Sequence, residues 1–293
     1  MLPCTRRRCL HNSVMSALVL QSDFGLDDGA VSAMYGVAVG VDPALRIHDV
    51  THNIPPYDIW EGSYRLAQVL TYWPNGTVFV SVVDPGVGSD RLSVVARTMT
   101  GHYVVTPDNG TLTHLENIFG ITEVREIDET RNRRPGSEES YTFHGRDIYA
   151  FTGARLASGA TTFEEVGPLL DLAHMVRLPV TEPALRDGTV IGTIDTLDVR
   201  YGSLWTSIPR ALFRELGVEA GDRVTVRVHH HDTVVHAAQV TYARSFAAVE
   251  VGESLLYVNS LDRMAIAINR GNYARAFSLD TGASWHVTLV PVR

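Results

Sequence analysis

Only two cysteines occur among the 293 residues, Cys4 and Cys9, and both fall in the opening segment MLPCTRRRCLHNSV. The rest of the chain therefore has no disulfide framework and no cysteine-based zinc site, and a hydrophobic core must hold it together. Such cysteine poverty fits a reducing cytoplasm. Nowhere do about 18 apolar residues run together, as a helical membrane span requires. Basic residues are also scarce: 25 Lys and Arg stand against 33 Asp and Glu, for a net charge of -8. No long basic cluster follows the first ten positions, which argues against nucleic acid or an anionic membrane as the main partner. A cationic small molecule suits this balance better.

The Arg6-Arg7-Arg8 run before Val14 to Leu20 imitates a secretory signal, but the apolar stretch is short and has no cleavage site before the strand it becomes. Residues 1–15 are therefore expected to be a leader or a disordered tail: either Met15 is the natural start, or the leader is a disordered tail. The length exceeds what one core usually organises, and 45% apolar residues can fill two. Within 16–178, Ala17 to Gln21, Arg46 to Val50 and Val78 to Val83 read as buried strands. Gly29 to Val39 and Ile59 to Thr71 read as the helices between them. The alternation predicts a mostly parallel sheet, whose ligands bind beyond the carboxyl ends of strands. Ser93 to Ala96 and Tyr103 to Thr106 continue it, Thr111 to Phe119 and TFHGRDIYA read as helices, and Asp128 to Ser140 as a surface loop. Residues 179–188 (PVTEPALRDG), with two prolines, read as a linker. Over 189–293, alternating turn-bounded β segments predict a small antiparallel barrel with one short helix, Pro209 to Leu216.

The segment VVDPGVGSDR places Asp84 seven residues before Arg91, and FHGRD downstream adds His144. A carboxylate, a guanidinium and an imidazole in one pocket can hold and polarise a water molecule without a metal. A turn-capping aspartate beside two unrelated polar residues has the same local signature. Asp23 sits at the carboxyl end of the first strand, where one carboxylate can accept from both hydroxyls of a ribose. It can also serve as a helix cap, although Asp27 and Asp28 are better placed for that.

LQSDFGLDDGAV, PPYDIWEG, FVSVVDPGVGSDR, VTPDNGTLT, TFHGRDIYA, EVGP and DVRYGSLWTSIP occur in this order. Together they resemble the adenosyl-transferring family that includes S-adenosylmethionine hydrolases and the microbial fluorinases and chlorinases. The resemblance implies an α/β domain followed by a smaller β-barrel, and a homotrimer with sites at subunit interfaces. It implies that Asp84, Arg91 and His144 are the triad of the hydrolase branch, which directs water at the ribose 5′ carbon of S-adenosyl-L-methionine to give adenosine and methionine. That molecule would be the substrate, and no cofactor is implied. Substrate-binding roles are implied for Asp23 at the ribose and for the aromatics Tyr57 and Phe143. Asp198, Tyr201 and Ser203 match the stretch that holds the amino-acid portion and stacks on adenine, and Ser260 resembles part of the adenine-edge site. Family members usually carry Asn at position 203. The halogenase branch has tyrosine where Asp84 stands, threonine where Val87 stands and serine where Gly145 stands.

His229, His230, His231 and His236 invite a metal reading, with His229 and His231 on one strand face, yet no Cys or acidic ligand completes a set. No metal site is expected. GVGSDR lacks the Lys-Ser/Thr pair of a phosphate loop. Two alternatives stay open beside hydrolysis: a halogenase-like activity and a nucleoside sensor with negligible turnover.

Overall fold

The structure is a computed structural model that describes residues 17–292. The leader expected over residues 1–15 lies outside the described residues. The chain forms two compact units, one running to Gly62 and resuming over Val69–Val176, the other made of Ser63–Gln68 and everything from Arg177 onward.

In the first unit the strands are β1 (Leu18–Ser22), β2 (Ile47–Thr51), β3 (Val78–Val82), β4 (Ser93–Thr98), β5 (Tyr103–Pro107), β6 (Ile121–Glu126) and β7 (Leu169–Leu170). They join in the order β2-β1-β3-β5-β4-β6-β7. The first four are mutually parallel, and β4, β6 and β7 add antiparallel ladders. Every residue of β1 and β3 is buried, which is why both read as mostly apolar runs without alternation, broken only by Gln21, Ser22 and Ser81. Helices α1 (Ala30–Val41), α3 (Thr113–Phe119), α4 (Glu129–Asn132) and α5 (Phe151–Ser158) accompany the sheet, and α2 (Ile59–Val69) falls mostly in the stretch assigned to the second unit. Met34 and Ala38 of α1 and Ala154 and Ala157 of α5 pack with Leu18, Leu20, Val78, Val80 and Val105 in one core.

Two sequence expectations need correction here. The stretch Asp128 to Ser140 is not simply a surface loop: Asp128 accepts from Thr130 N at 3.0 Å and starts α4. Asn132 at its end is buried, donating from Nδ2 to Val166 O at 2.8 Å. TFHGRDIYA does open a helix, but its first turn, Gly145–Ala150, is a wide π turn that runs into α5.

The second unit contains β8 (Ala184–Arg186), β9 (Thr189–Leu197), β10 (Leu204–Pro209), β11 (Arg223–His230), β12 (Thr233–Tyr242), β13 (Ser254–Val258), β14 (Arg263–Ile268) and β15 (Trp285–Pro291), with α6 (Arg210–Arg214) and α7 (Tyr273–Phe277). The ladder β10-β14-β13-β12-β11-β15-β9 closes through β9–β10, leaving β8 as an added strand within the stretch read as a linker. A closed barrel has no edge in need of protection. One junction, β12–β13, is parallel; the others are antiparallel. Alternate residues of β11 (Val224, Val226, Val228) face the barrel core with Ile266 and Leu289. β11 ends at His230, and His231 occupies the turn with φ 52°, so His229 and His231 do not share a strand face. His229 pairs instead with Thr288 Oγ1 at 3.2 Å, and His236 with the Tyr273 hydroxyl at 2.8 Å.

The first unit also buries a carboxylate. Asp147, fully buried in the π turn, receives Arg146 in a two-point grip at 2.8 and 2.7 Å and Arg134 Nε at 3.0 Å. Burial opposes its ionisation, but the hydrogen bonds from Arg146 and Arg134 outweigh that and hold its carboxyl below the usual carboxylate range. A depressed acid contributes stability that is present above the ordinary carboxylate value and lost as pH falls through its lowered one. We expect Asp147→Asn to cost about 2–3 kcal/mol, less than a fully buried pair because the arginines are partly solvated. Urea unfolding at neutral and acid pH checks this: the variant should lose part of the wild type's acid sensitivity, and equal stability at neutral pH would contradict the assignment.

Candidate functional site

Asp84 leaves the carboxyl end of β3 directly into a tight turn, where Val87 N donates to Asp84 O at 3.2 Å and Ser89 N to Gly86 O at 3.0 Å. The reversal brings Arg91 back onto the carboxylate. Arg91 Nε donates to Asp84 Oδ1 at 2.8 Å and Nη2 to Oδ2 at 2.5 Å, the fork-on-fork geometry that fixes both partners. Only 5% of the Asp84 side chain and 11% of the Arg91 side chain remain exposed, so the pair is poorly screened by solvent. Behind them the DNG turn braces the strand end, Asn109 Nδ2 donating to Val83 O at 2.9 Å.

His144 begins the π turn and completes the trio. Its Nδ1 lies 3.1 Å from Arg91 Nη2. A guanidinium can only donate, so Nδ1 must accept and the ring proton belongs on Nε2. That Nε2 is buried and has no hydrogen-bond partner. Burial is the main cause that pushes the His144 pKa below its ordinary value, with Arg91 and Arg133 adding to it against the opposing pull of Glu129 and Asp84. The ring is thus a neutral donor with one unanswered N–H.

Two residues missed in the sequence close the circuit. Arg91 Nη1 donates to Ser93 Oγ at 3.0 Å, Ser93 Oγ meets the Tyr149 hydroxyl at 3.2 Å, and that hydroxyl donates to Asp84 Oδ2 at 3.4 Å. Burial beside the Asp84 charge raises the Tyr149 pKa strongly, so the phenol stays protonated. His144 and Tyr149 are five residues apart, the spacing that a π turn aligns on one side of a helix. FHGRDIYA contained that spacing, but nothing in it announced the wide turn.

Asp23 follows β1, its N–H donating to Val82 O at 3.3 Å. A polar relay, buried at Ser22 and His52 and reaching the surface at Asp49, fixes the loop it opens: Ser22 Oγ meets His52 Nδ1 at 2.7 Å, His52 Nε2 meets Asp49 Oδ1 at 3.0 Å, and Tyr35 donates to Asp49 Oδ2 at 2.7 Å. Asp28 accepts from Ala30 N at 2.8 Å, so the start of α1 is served without Asp23. Asp23 Oδ2 accepts the N–H of Tyr57 at 2.8 Å, and Tyr57 holds a left-handed φ of 69° with its ring 72% exposed. A bulky residue adopts that conformation only where its surroundings insist.

Asp23, Tyr57, Asp84, Phe143 and His144 line one cavity of 240 Å³, together with Phe24, Val82, Val87 and Gly145. This lies below the roughly 300–1,000 Å³ of pockets that enclose whole drug-sized ligands, and suits a sugar and its immediate substituents. Phe24 and Phe143 meet edge to face with centroids 5.7 Å apart. A Cβ at Gly145 would lie 3.0 Å from the Phe24 ring and 3.2 Å from Val82, so this wall has no room for a larger residue unless the ring moves.

The remaining candidates belong to the second unit. Asp198, Tyr201 and Ser203 line a cavity of 780 Å³ with Tyr257, Asn269 and Asn272. Asp198 Oδ1 accepts the N–H groups of Arg200 (3.2 Å) and Tyr201 (3.4 Å), a turn that leaves the Tyr201 ring 69% exposed as a flat apolar surface. Gly202, at φ 64°, has no space for a Cβ beside the Asn272 amide. Ser203 is buried and pairs with Tyr257. Ser260 lies in the exposed turn after β13 and is not part of this lining.

A mostly parallel α/β unit and a closed barrel, with a polar trio around a sugar-sized cavity, define the class as a small-molecule enzyme. The family is equally definite. Residues 18–167 match the model of the SAM hydroxide adenosyltransferase N-terminal domain and residues 192–286 that of the C-terminal domain, so the chain belongs to the SAM hydroxide adenosyltransferase family. It is 36% identical over 277 residues to the (R)-S-adenosyl-L-methionine hydrolase of Salinispora tropica, covering 91% of this chain and 95% of that protein. A fluorinase of Actinopolyspora mzabensis is 28% identical over 295 residues, covering 92% and 96%. The crystal structure of an uncharacterized conserved protein from Thermotoga maritima superimposes with a TM-score of 0.85 at 32% identity, covering 93% of this chain and 99% of that one.

The tautomer argument is open to a direct check. In a ¹⁵N-resolved NMR titration we expect His144 to be neutral with its proton on Nε2 at pH 7, and to protonate only below the ordinary histidine value of 6.5. A proton on Nδ1, or a midpoint above that value, would contradict the Arg91 contact.

Proposed function

We propose that the protein hydrolyses S-adenosyl-L-methionine to adenosine and L-methionine. The observation that carries this reading is that Asp84 and His144, both held by the Arg91 guanidinium, line one cavity with Asp23. The Asp23 carboxylate would accept from the ribose hydroxyls. Water held against Asp84 and the unanswered Nε2–H of His144 would attack the 5′ carbon in line with the departing sulfur. The C–O bond forms as the C–S bond breaks, the electron pair of that bond neutralises the sulfonium, and the water's proton passes through Asp84 to solvent. Full deprotonation of water beforehand is not required: its pKa of about 15.7 is far above that of any carboxylate, so Asp84 takes the proton as the bond forms. Arg91 keeps the carboxylate in one rotamer, and Tyr149 and Ser93 keep Arg91 in its own. Asp198, Tyr201 and Ser203 would grip the adenine and amino-acid ends, with Ser260 at the adenine edge.

Two observations favour water over halide. A carboxylate at position 84 repels an anion, and the tight wall at Gly145 would admit the serine of the halogenase branch only if the Phe24 ring and Val82 shifted by a few tenths of an ångström. The homotrimer with sites at subunit interfaces, the absence of any cofactor and a cytoplasmic setting complete the proposal. No helix among the described residues is long and apolar enough to cross a membrane.

Purified protein incubated with S-adenosyl-L-methionine should release adenosine and methionine in equal amounts by chromatography. Adenine as the product, 5′-halo-adenosine on adding chloride or fluoride, or retained nucleoside without turnover would each overturn the reading. Asp84→Asn should lower kcat on the order of 10²–10⁴-fold with KM little changed. Tyr149→Phe should lower kcat about tenfold, also at constant KM, because it loosens the carboxylate without touching substrate. A Tyr149→Phe variant with wild-type kcat would remove that residue from the circuit.

A further inference from the structure

A second cavity of the first unit, 710 Å³ in volume, has no part in the chemistry above. Its floor is α1, where Gly36, Val37, Gly40 and Val41 face the space, joined by Phe151. From Ala30 to Val41 the sequence AVSAMYGVAVGV has no charged residue, although Gly36, Val39 and Gly40 are exposed. A helix on a protein surface normally turns polar residues outward, so this apolar outer face needs an explanation.

The rim supplies a second, independent observation. It consists of Arg134, Arg146 and Arg155, with no acidic residue in the lining. All three are held in place. Arg146 and Arg134 rest on the buried Asp147, at 2.8 and 2.7 Å for the first and 3.0 Å for the second. Arg155 Nη1 donates to the neutral acceptors Arg131 O at 2.7 Å and Asn132 Oδ1 at 2.9 Å. The lining thus carries three guanidiniums, of which two share one carboxylate, in a protein whose net charge is -8. These contacts use Nε of Arg134, Nε and Nη2 of Arg146 and Nη1 of Arg155, leaving the other N–H groups of each fork for a ligand. Forks already ordered by the protein lose little entropy when an anion arrives.

We propose that this groove binds a small amphipathic anion, a carboxylate on an apolar chain or ring, with the carboxylate on the arginine rim and the apolar body along α1. The hydrophobic floor alone would accept any apolar molecule, and the rim alone any anion; their adjacency selects a molecule that is both.

Octanoate titrated calorimetrically into the full-length protein should bind saturably, with inorganic phosphate and 1-octanol each at least about tenfold weaker because each lacks one half of the recognition. Arg155→Gln should weaken octanoate about tenfold. Gly36→Phe tests the floor without altering charge: a Cβ at Gly36 meets nothing within 4 Å, so the larger side chain fills the groove rather than the core. It should abolish octanoate binding while circular dichroism stays that of the wild type. The proposal fails if octanoate does not saturate, if phosphate binds as well as octanoate, or if both variants bind octanoate normally. It also fails if light scattering shows that Gly36→Phe breaks up an assembly, since the groove would then be a contact between copies of the chain.

Discussion

The two-point contact of Arg91 on Asp84 is the constraint around which the first unit's site is organised. A carboxylate with 5% of its side chain exposed has lost most of its hydration, and only a matched cation makes its charge tolerable there. The chain meets that requirement locally, by a turn that returns seven residues later on the same carboxylate, and not by recruiting a distant basic residue. Every further polar group is then placed by what the pair leaves unsatisfied. Arg91 has a terminal nitrogen for Ser93 and a second hydrogen bond for His144 Nδ1, and Asp84 keeps lone pairs for the Tyr149 hydroxyl. The consequence for the imidazole is the one that matters chemically: a donor-only neighbour on Nδ1 fixes the tautomer, and the N–H on the buried Nε2 is left without a partner.

The same economy governs Asp23. Its carboxylate is not free to reorient, because the Tyr57 N–H occupies one oxygen and the Ser22–His52–Asp49–Tyr35 relay fixes the loop from beneath. Rigid acceptors discriminate better than mobile ones, since a ligand that fits loses nothing to reorganising the protein. A left-handed tyrosine at position 57 is a local cost borne for that rigidity.

The elements that delivered these groups were legible in the sequence for definite reasons. β1 and β3 are buried throughout and so appear as mostly apolar runs, each followed within two residues by the aspartate that matters, and β11 is half-buried and so alternates. What escaped notice depended on partners far away in the chain. Ser93 and Tyr149 are ordinary residues until 56 positions of intervening chain bring their hydroxyls together. α4 looked like loop because its four residues are charged or polar, and it holds only because Asp128 caps it and Asn132 finds a carbonyl to bind in the interior. His231 was misplaced by one residue's worth of strand, since HHHD gives no hint where a ladder stops and a left-handed turn begins. The parallel junction β12–β13 was invisible for the same reason, pairing direction being a property of topology and not of composition.

The choice of nucleophile shows how far a few side chains constrain chemistry. Within one family, relatives carry the names of a hydrolase and of a fluorinase while sharing most of their length with this chain. Anion and water make opposite demands on a pocket: a halide must shed its shell of water and needs donors to replace it, whereas a water molecule needs an acceptor for the proton it will lose. Asp84 meets the second demand and violates the first. Gly145 reinforces the difference sterically, because a Cβ there would lie 3.0 Å from the edge of Phe24, which would have to shift to admit a hydroxyl-bearing side chain. A single substitution at position 84 would therefore not convert one pocket into the other. The replaced carboxylate would leave Arg91 with an unopposed charge, and position 145 would still lack the second donor, whose introduction requires the Phe24 ring to shift, so the two features would have to change together.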